Sequence, residues 1–169
     1  MGLSTHVRRG HPILFGLLVF FGIIEGSIAT WLTVKYHKHH NYLNTSVRDR
    51  THLITFASWW TVLFSAILLG VFMHSANSIL SSVLVHLIIL GITWVLWTAG
   101  AAAITASLGG GINCSRVETN VVYCNQLNAM EGFAWVEWAL TTIAIFVVII
   151  CTVRSLRRGD GTRGALVID

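Results

Sequence analysis

Residues 94–138 read WVLWTAGAAAITASLGGGINCSRVETNVVYCNQLNAMEGFAWVEW, and the fold turns on this stretch. An apolar run from Trp94 halts at Gly109-Gly110-Gly111, and a second begins at Gly132. Each glycine costs a helix about 1 kcal/mol against alanine, so three in a row end the first run. Cys114 and Cys124 lie between the runs, near enough in sequence to close a small ring. The stretch predicts two apolar helices joined by a disulfide-bridged loop.

The rest of the chain extends this pattern. Of the 169 residues, 54% are hydrophobic and 11% charged, against roughly 25% charged in a soluble domain. At roughly 20 apolar residues per membrane span, the chain holds four spans: residues 13–34, 51–73, 79–108 and 132–153. The fold class is all-α integral membrane, a four-transmembrane-helix bundle over residues 13–153. A basic lead, residues 1–12, precedes it and a basic tail, residues 154–169, follows. The formal net charge of +4 sits beside spans, where basic residues orient helices and meet anionic lipid. No nucleic-acid partner is expected. Ser27-Ile28-Ala29 resembles a signal-peptide cleavage site, but the apolar run continues past it. Gly2 invites myristoylation, but His6 stands where Ser or Thr is required.

Four spans put both termini on one side. Arg8, Arg9, Arg154, Arg157, Arg158 and Arg163 lie there; Lys35, Lys38, Arg48, Arg50 and Arg116 lie in the opposite loops. Six against five does not orient the bundle. The cysteines do, because a stable disulfide belongs on the extracytoplasmic side. The Asn-x-Ser/Thr sequences at Asn44 and Asn113 fall on that same side. We expect cytosolic termini, an outer Cys114–Cys124 disulfide and a glycan acceptor at Asn44. The basic first loop, KYHKHHNYLNTSVRDR, opposes this orientation.

Glu25 stands near the middle of the first span, where an acid costs roughly 2.5 kcal/mol or more. It is either a proton or cation site or a structural carboxyl bonded to a neighbouring helix. Glu137 stands about five residues into the fourth span, roughly 7 Å deep, between Trp135 and Trp138. An indole only donates a hydrogen bond and a carboxylate only accepts. We therefore expect an outer aromatic cluster of Trp59, Trp60, Trp94, Trp97, Trp135 and Trp138, with one or more indoles satisfying Glu137. The competing expectation is an aromatic belt at the membrane surface. His86 either joins the two acids in a proton relay or makes a helix–helix hydrogen bond. Gly22-x-x-x-Gly26, and Ala99, Ala103 and Ser107, space small residues for close helix approach. Cys151 is either a palmitoylation site or an inert buried thiol.

His37, His39 and His40 lack cysteine or carboxylate partners at zinc spacing, so no metal is expected. No C-x-x-C, nucleophile elbow, H-E-x-x-H or phosphate loop occurs, and no enzyme is expected. No cofactor is expected beyond a bound lipid or sterol.

The run from Trp94 to Thr105, Cys114, and the run from Tyr123 to Trp135 together resemble the MARVEL domain of fungal membrane proteins, over about Pro12 to Arg158. The resemblance implies a tetraspan with cytosolic termini and a bridged outer loop. It further implies a part in membrane apposition, sterol- or sphingolipid-rich domains and vesicle traffic, and it supplies no active site. The function expected is non-enzymatic organisation of the plasma membrane or of secretory-pathway vesicles. Partners would be membrane lipids, copies of the same chain, or other membrane proteins. Two alternatives stand beside it. One is a small oligomeric channel or proton-linked transporter using Glu25 and Glu137; the other is an accessory subunit of a larger membrane complex.

Overall fold

The computed structural model describes residues 3–74, 83–115 and 121–158. Four helices fill most of this length: α1 (Leu3–His39), α2 (Thr45–His74), α3 (Val83–Leu108) and α4 (Cys124–Arg158). The turn at Ser75–Ser78, Arg116 and the end of the basic tail lie outside the described residues, as do the side chains of Arg8, Arg9 and Cys151. Within the helices, Pro12–His39, Thr45–Val71, Leu84–Leu108 and Cys124–Ile150 are long and apolar enough to cross a membrane.

The helices outrun the apolar stretches because their polar ends are capped. Asn44 Oδ1 accepts the Val47 N–H at 2.8 Å, an N-cap that starts α2 ahead of the apolar run at Thr51. The Gly109 and Gly110 φ angles are 72° and 89°. The Gly110 N–H reaches back to the Thr105 carbonyl at 3.0 Å, closing α3 as a Schellman cap does. α4 begins at Cys124, two turns before Gly132. Tyr123, with φ 67°, accepts the Leu127 N–H at 3.0 Å. Asn125, Gln126, Asn128 and Glu131 are therefore helical.

Successive helices run antiparallel and close a ring: α1 packs on α2, α2 on α3, α3 on α4, and α4 on α1. Gly22 and Gly26 set the approach of α1 to α2. A Cβ at Gly22 would stand 3.0 Å from Val62 Cγ2, and one at Gly26 would stand 3.2 Å from the Trp59 ring. The G-x-x-x-G spacing thus serves packing inside the bundle. Ala99 is exposed, whereas the Ala103 carbonyl accepts Arg50 Nη1 at 2.7 Å, a cation placed near the negative end of α3.

The interior has three layers. Toward the disulfide end lie Ala29, Leu32, Ile54, Trp97, Ile104 and Leu127. Toward the termini lie Phe15, Leu18, Leu68, Leu90, Ala144 and Val148. Between these apolar clusters, by their positions along the helices, come Glu25, Ser58, Thr61, Thr93, Glu137 and Thr141, all buried. The outward faces carry Phe20, Ile23, Phe56, Leu63, Ile88, Val95, Ile143 and Phe146, exposed as a lipid-facing surface requires.

Candidate functional site

A polar group left unmet in hydrocarbon costs several kcal/mol, so each buried indole N–H needs an acceptor. All six tryptophans of the expected cluster find one, a threonine on a neighbouring helix. Trp59 Nε1 donates to Thr30 Oγ1 at 3.0 Å, Trp60 to Thr93 at 3.1 Å and Trp97 to Thr61 at 2.9 Å. Trp94 donates to Thr142, Trp138 to Thr98 and Trp135 to Thr105, each at 3.0 Å. Thr61, Thr93, Thr98 and Thr142 pass their own protons to the carbonyls of Ala57, Ile89, Trp94 and Trp138. Such a hydroxyl donates within its helix and accepts across the interface. Between α3 and α4 the bonds are reciprocal: Trp94 and Thr98 meet Thr142 and Trp138.

These bonds correct the expectation that indoles satisfy Glu137. Trp135 and Trp138 flank it in sequence, but adjacent helix positions point about 100° apart. Both rings turn to α3, whereas Glu137 turns to α1. Nor do the rings form a belt at the helix ends: Trp59, Trp60, Trp94, Trp97 and Trp138 lie near the middle of their helices and bond inward.

Glu25 lies midway along Pro12–His39, and Glu137 midway along Cys124–Ile150. Glu137 is deeper in the bundle than a span starting at Gly132 places it. Its Oε1 lies 3.4 Å from where a Gly22 Cβ would stand, and the Ser58 carbonyl oxygen 3.6 Å from the same point. Helical side chains lean toward their own N-terminus. In this antiparallel pair the lean turns Glu25, one turn along α1 from Gly22, and Glu137 toward one another. Neither carboxyl has a hydrogen-bond partner among the described residues, and neither has Thr141 Oγ1, one turn along α4 from Glu137. α1 and α4 meet here through Phe21 and Phe133, ring centroids 6.1 Å apart. Two buried carboxyls in this position can hold positive charge, as protons or as a cation.

His86 is buried against Phe15, ring centroids 5.8 Å apart. Phe15 lies about 15 Å along α1 from Glu25. The structure brings the two acids together and places His86 elsewhere.

The family model of MARVEL, a membrane-associating domain, matches residues 7–147. The chain belongs to the MARVEL family. The match reaches all four helices, both acids, all six indole–threonine bonds and the cysteine pair. The MARVEL domain is a four-span, membrane-associating domain of membrane-organising proteins. No curated protein and no solved structure matches the chain.

In this MARVEL domain Cys114 and Cys124 are disulfide-bonded, with Cα atoms 5.8 Å apart, in the loop between α3 and α4. Asn128, which sequence reading misses, pins the same loop. Its Oδ1 accepts the Ile112 N–H at 2.9 Å and its Nδ2 donates to the Ile112 carbonyl at 2.6 Å. Asn44 is exposed and caps α2, while His37, His39 and His40 are exposed at the end of α1. Among the described residues no three His, Cys, Asp or Glu side chains converge as a metal site. Trp31, the seventh tryptophan, packs edge-on against Tyr123 at 4.9 Å, with Lys35 Nζ 5.5 Å from its ring centre. The threonines are also missed by sequence reading. Their readable signal is W-x-x-x-T, present at Trp94–Thr98 and Trp138–Thr142.

Proposed function

We propose that this MARVEL protein is a non-enzymatic membrane organiser that gathers lipids and membrane proteins, copies of itself among them, by contact along its sides. The observation that carries this reading is the division of its surfaces. Indoles and hydroxyls at mid-bundle bond to one another, and the faces turned to lipid are apolar and grooved. One groove of about 430 Å³ runs along α3 past Leu87, Ile88, Gly91, Ile92 and Val95. Gly91 opens it, since nothing lies within 4 Å of a Cβ built there. Another, of about 290 Å³, is lined by Ser27, Ile28 and Trp31 of α1 and Gln126 of α4. Grooves of this kind suit an acyl chain, a sterol or the side chains of a partner helix.

The disulfide supports an orientation with both termini in the cytosol, and the location proposed is the plasma membrane or the secretory vesicles that feed it. Two-colour single-molecule tracking in supported bilayers tests the lateral mechanism. Wild-type copies should co-diffuse, and Gly91→Leu, which fills the α3 groove, should reduce co-diffusion without lowering thermal stability. Copies that diffuse independently would count against self-association.

A second reading, an oligomeric channel or proton-linked transporter, draws on the buried pair Glu25 and Glu137. The apolar clusters on either side of them speak against a continuous path through one bundle. Proton or cation flux in liposomes, abolished by Glu25→Gln or Glu137→Gln, would establish that reading in place of the first.

A further inference from the structure

We propose that the groove between α1 and α4 binds one phospholipid whose headgroup carries net negative charge, with the Lys35 amine meeting its phosphate. The proposal rests on the organiser reading for the role of the groove, and it names the lipid.

Depth places the headgroup. Glu25 marks the middle of Pro12–His39. Lys35 lies ten residues further along α1, about 15 Å by the helical rise, which is half of a hydrocarbon core about 30 Å thick. Lys35 therefore stands at the level of the lipid phosphates, whichever way the bundle is oriented. Below it, one face of α1 presents Trp31, Ser27, Ile23 and Phe20 at steps of three or four residues, all exposed. From Phe20 to Lys35 this stripe is about 22 Å long, enough to follow an acyl chain from mid-membrane to its headgroup.

The upper part of the stripe is a built seat. Ser27, Ile28 and Trp31 form one wall of the groove and Gln126 of α4 the other. Tyr123 packs edge-on against Trp31, ring centroids 4.9 Å apart, and Tyr36 packs on Tyr123 at 6.2 Å, so the indole is held in place. Lys35 Nζ lies 5.5 Å from the Trp31 ring centre. The ring that lines the groove thus also carries the cation. The groove's volume of about 290 Å³ falls just under the range of whole small-molecule sites, roughly 300–1,000 Å³. It takes part of one chain, and the rest of the chain lies along Ile23 and Phe20.

Charge then selects the headgroup. Glu25 is the only acid on α1, and α4 has none before the buried Glu131. Asp49, near the start of α2, is paired with Arg48 at 2.8 Å. Among the described residues no carboxylate pairs with Lys35, and Lys38 adds an exposed cation about one turn further out. A lipid phosphate supplies the anion, as a charge-assisted acceptor, and the Gln126 amide offers it a further donor. A choline headgroup brings a cation of its own, and the indole face that would attract it already holds Lys35. A sterol offers the amine no charge. Anionic lipid is concentrated in cytoplasmic leaflets. In the orientation that the disulfide supports, this groove faces the other leaflet, where such a site gathers a sparse lipid around the protein.

The test is native mass spectrometry of the full chain, purified in detergent and offered phosphatidylglycerol and phosphatidylcholine with identical chains in equal amounts. The wild type should retain one phosphatidylglycerol per chain, preferred about tenfold over phosphatidylcholine. Lys35→Gln should lower that preference by about fivefold or more. Lys38→Gln removes the same charge away from the Trp31 ring and should leave the preference within about twofold of wild type. Ser27→Leu, which fills the groove and keeps every charge, should reduce retention of both lipids. Equal retention of the two lipids by the wild type, equal losses in the Lys35 and Lys38 variants, or retention undiminished by Ser27→Leu would overturn the proposal. Copies that co-diffuse without this preference would remove the site and leave the organiser reading; the preference in copies that diffuse independently would do the reverse.

Discussion

Thr98 gives its proton to the Trp94 carbonyl and takes one from the Trp138 indole. Replacing it with valine keeps the shape and strands the indole. Thr98→Val should therefore lose about 1–2 kcal/mol of stability in a denaturant titration. A double-mutant cycle with Trp138→Phe should return a coupling of about 0.6–1.7 kcal/mol; zero coupling would mean the bond adds nothing. Gly22 is limited by space. A methyl there meets Val62 Cγ2 at 3.0 Å and Glu137 Oε1 at 3.4 Å, so Gly22→Ala should cost about 1–3 kcal/mol, read as a lower unfolding midpoint. At this scale the sequence showed Glu25 as an interior acid, because a charge in an apolar run has few other places to go. It did not show the indoles' acceptors. A threonine carries no charge to mark it, and the facing of Glu137 depends on a rotation of about 100° per residue that proximity in sequence ignores.

The loop between α3 and α4 is held twice, by the Cys114–Cys124 bond and by the paired Asn128–Ile112 hydrogen bonds. Reducing the disulfide in a ring this short should cost about 2–3 kcal/mol. Asn128→Ala should cost about 1–2 kcal/mol. The two losses should not add, since each fixes the same loop to the start of α4; a calorimetric comparison of oxidised and reduced wild type and variant would show this. The disulfide and the glycine stop after α3 were legible in the sequence. The starts of α2 and α4 were not. Hydropathy finds where a helix is apolar, whereas Asn44 starts a helix in polar sequence through its side-chain oxygen and Tyr123 through its left-handed backbone.

The whole molecule is a ring of four antiparallel spans with apolar sides and a polar middle layer. Four runs of membrane length were enough to give the class, and the family match confirms the four-span domain. The order of layers came only from the structure, because it depends on which residues of different helices share a level. The proposed function rests on the grooves along α3 and between α1 and α4, on sides of the bundle where lipids and partners would meet it. The direct measurement is the composition of native nanodiscs cut around the protein from its own membrane. The account predicts more than one copy per disc on average, and a lipid class enriched over the bulk membrane. Single copies surrounded by lipid of bulk composition would contradict it.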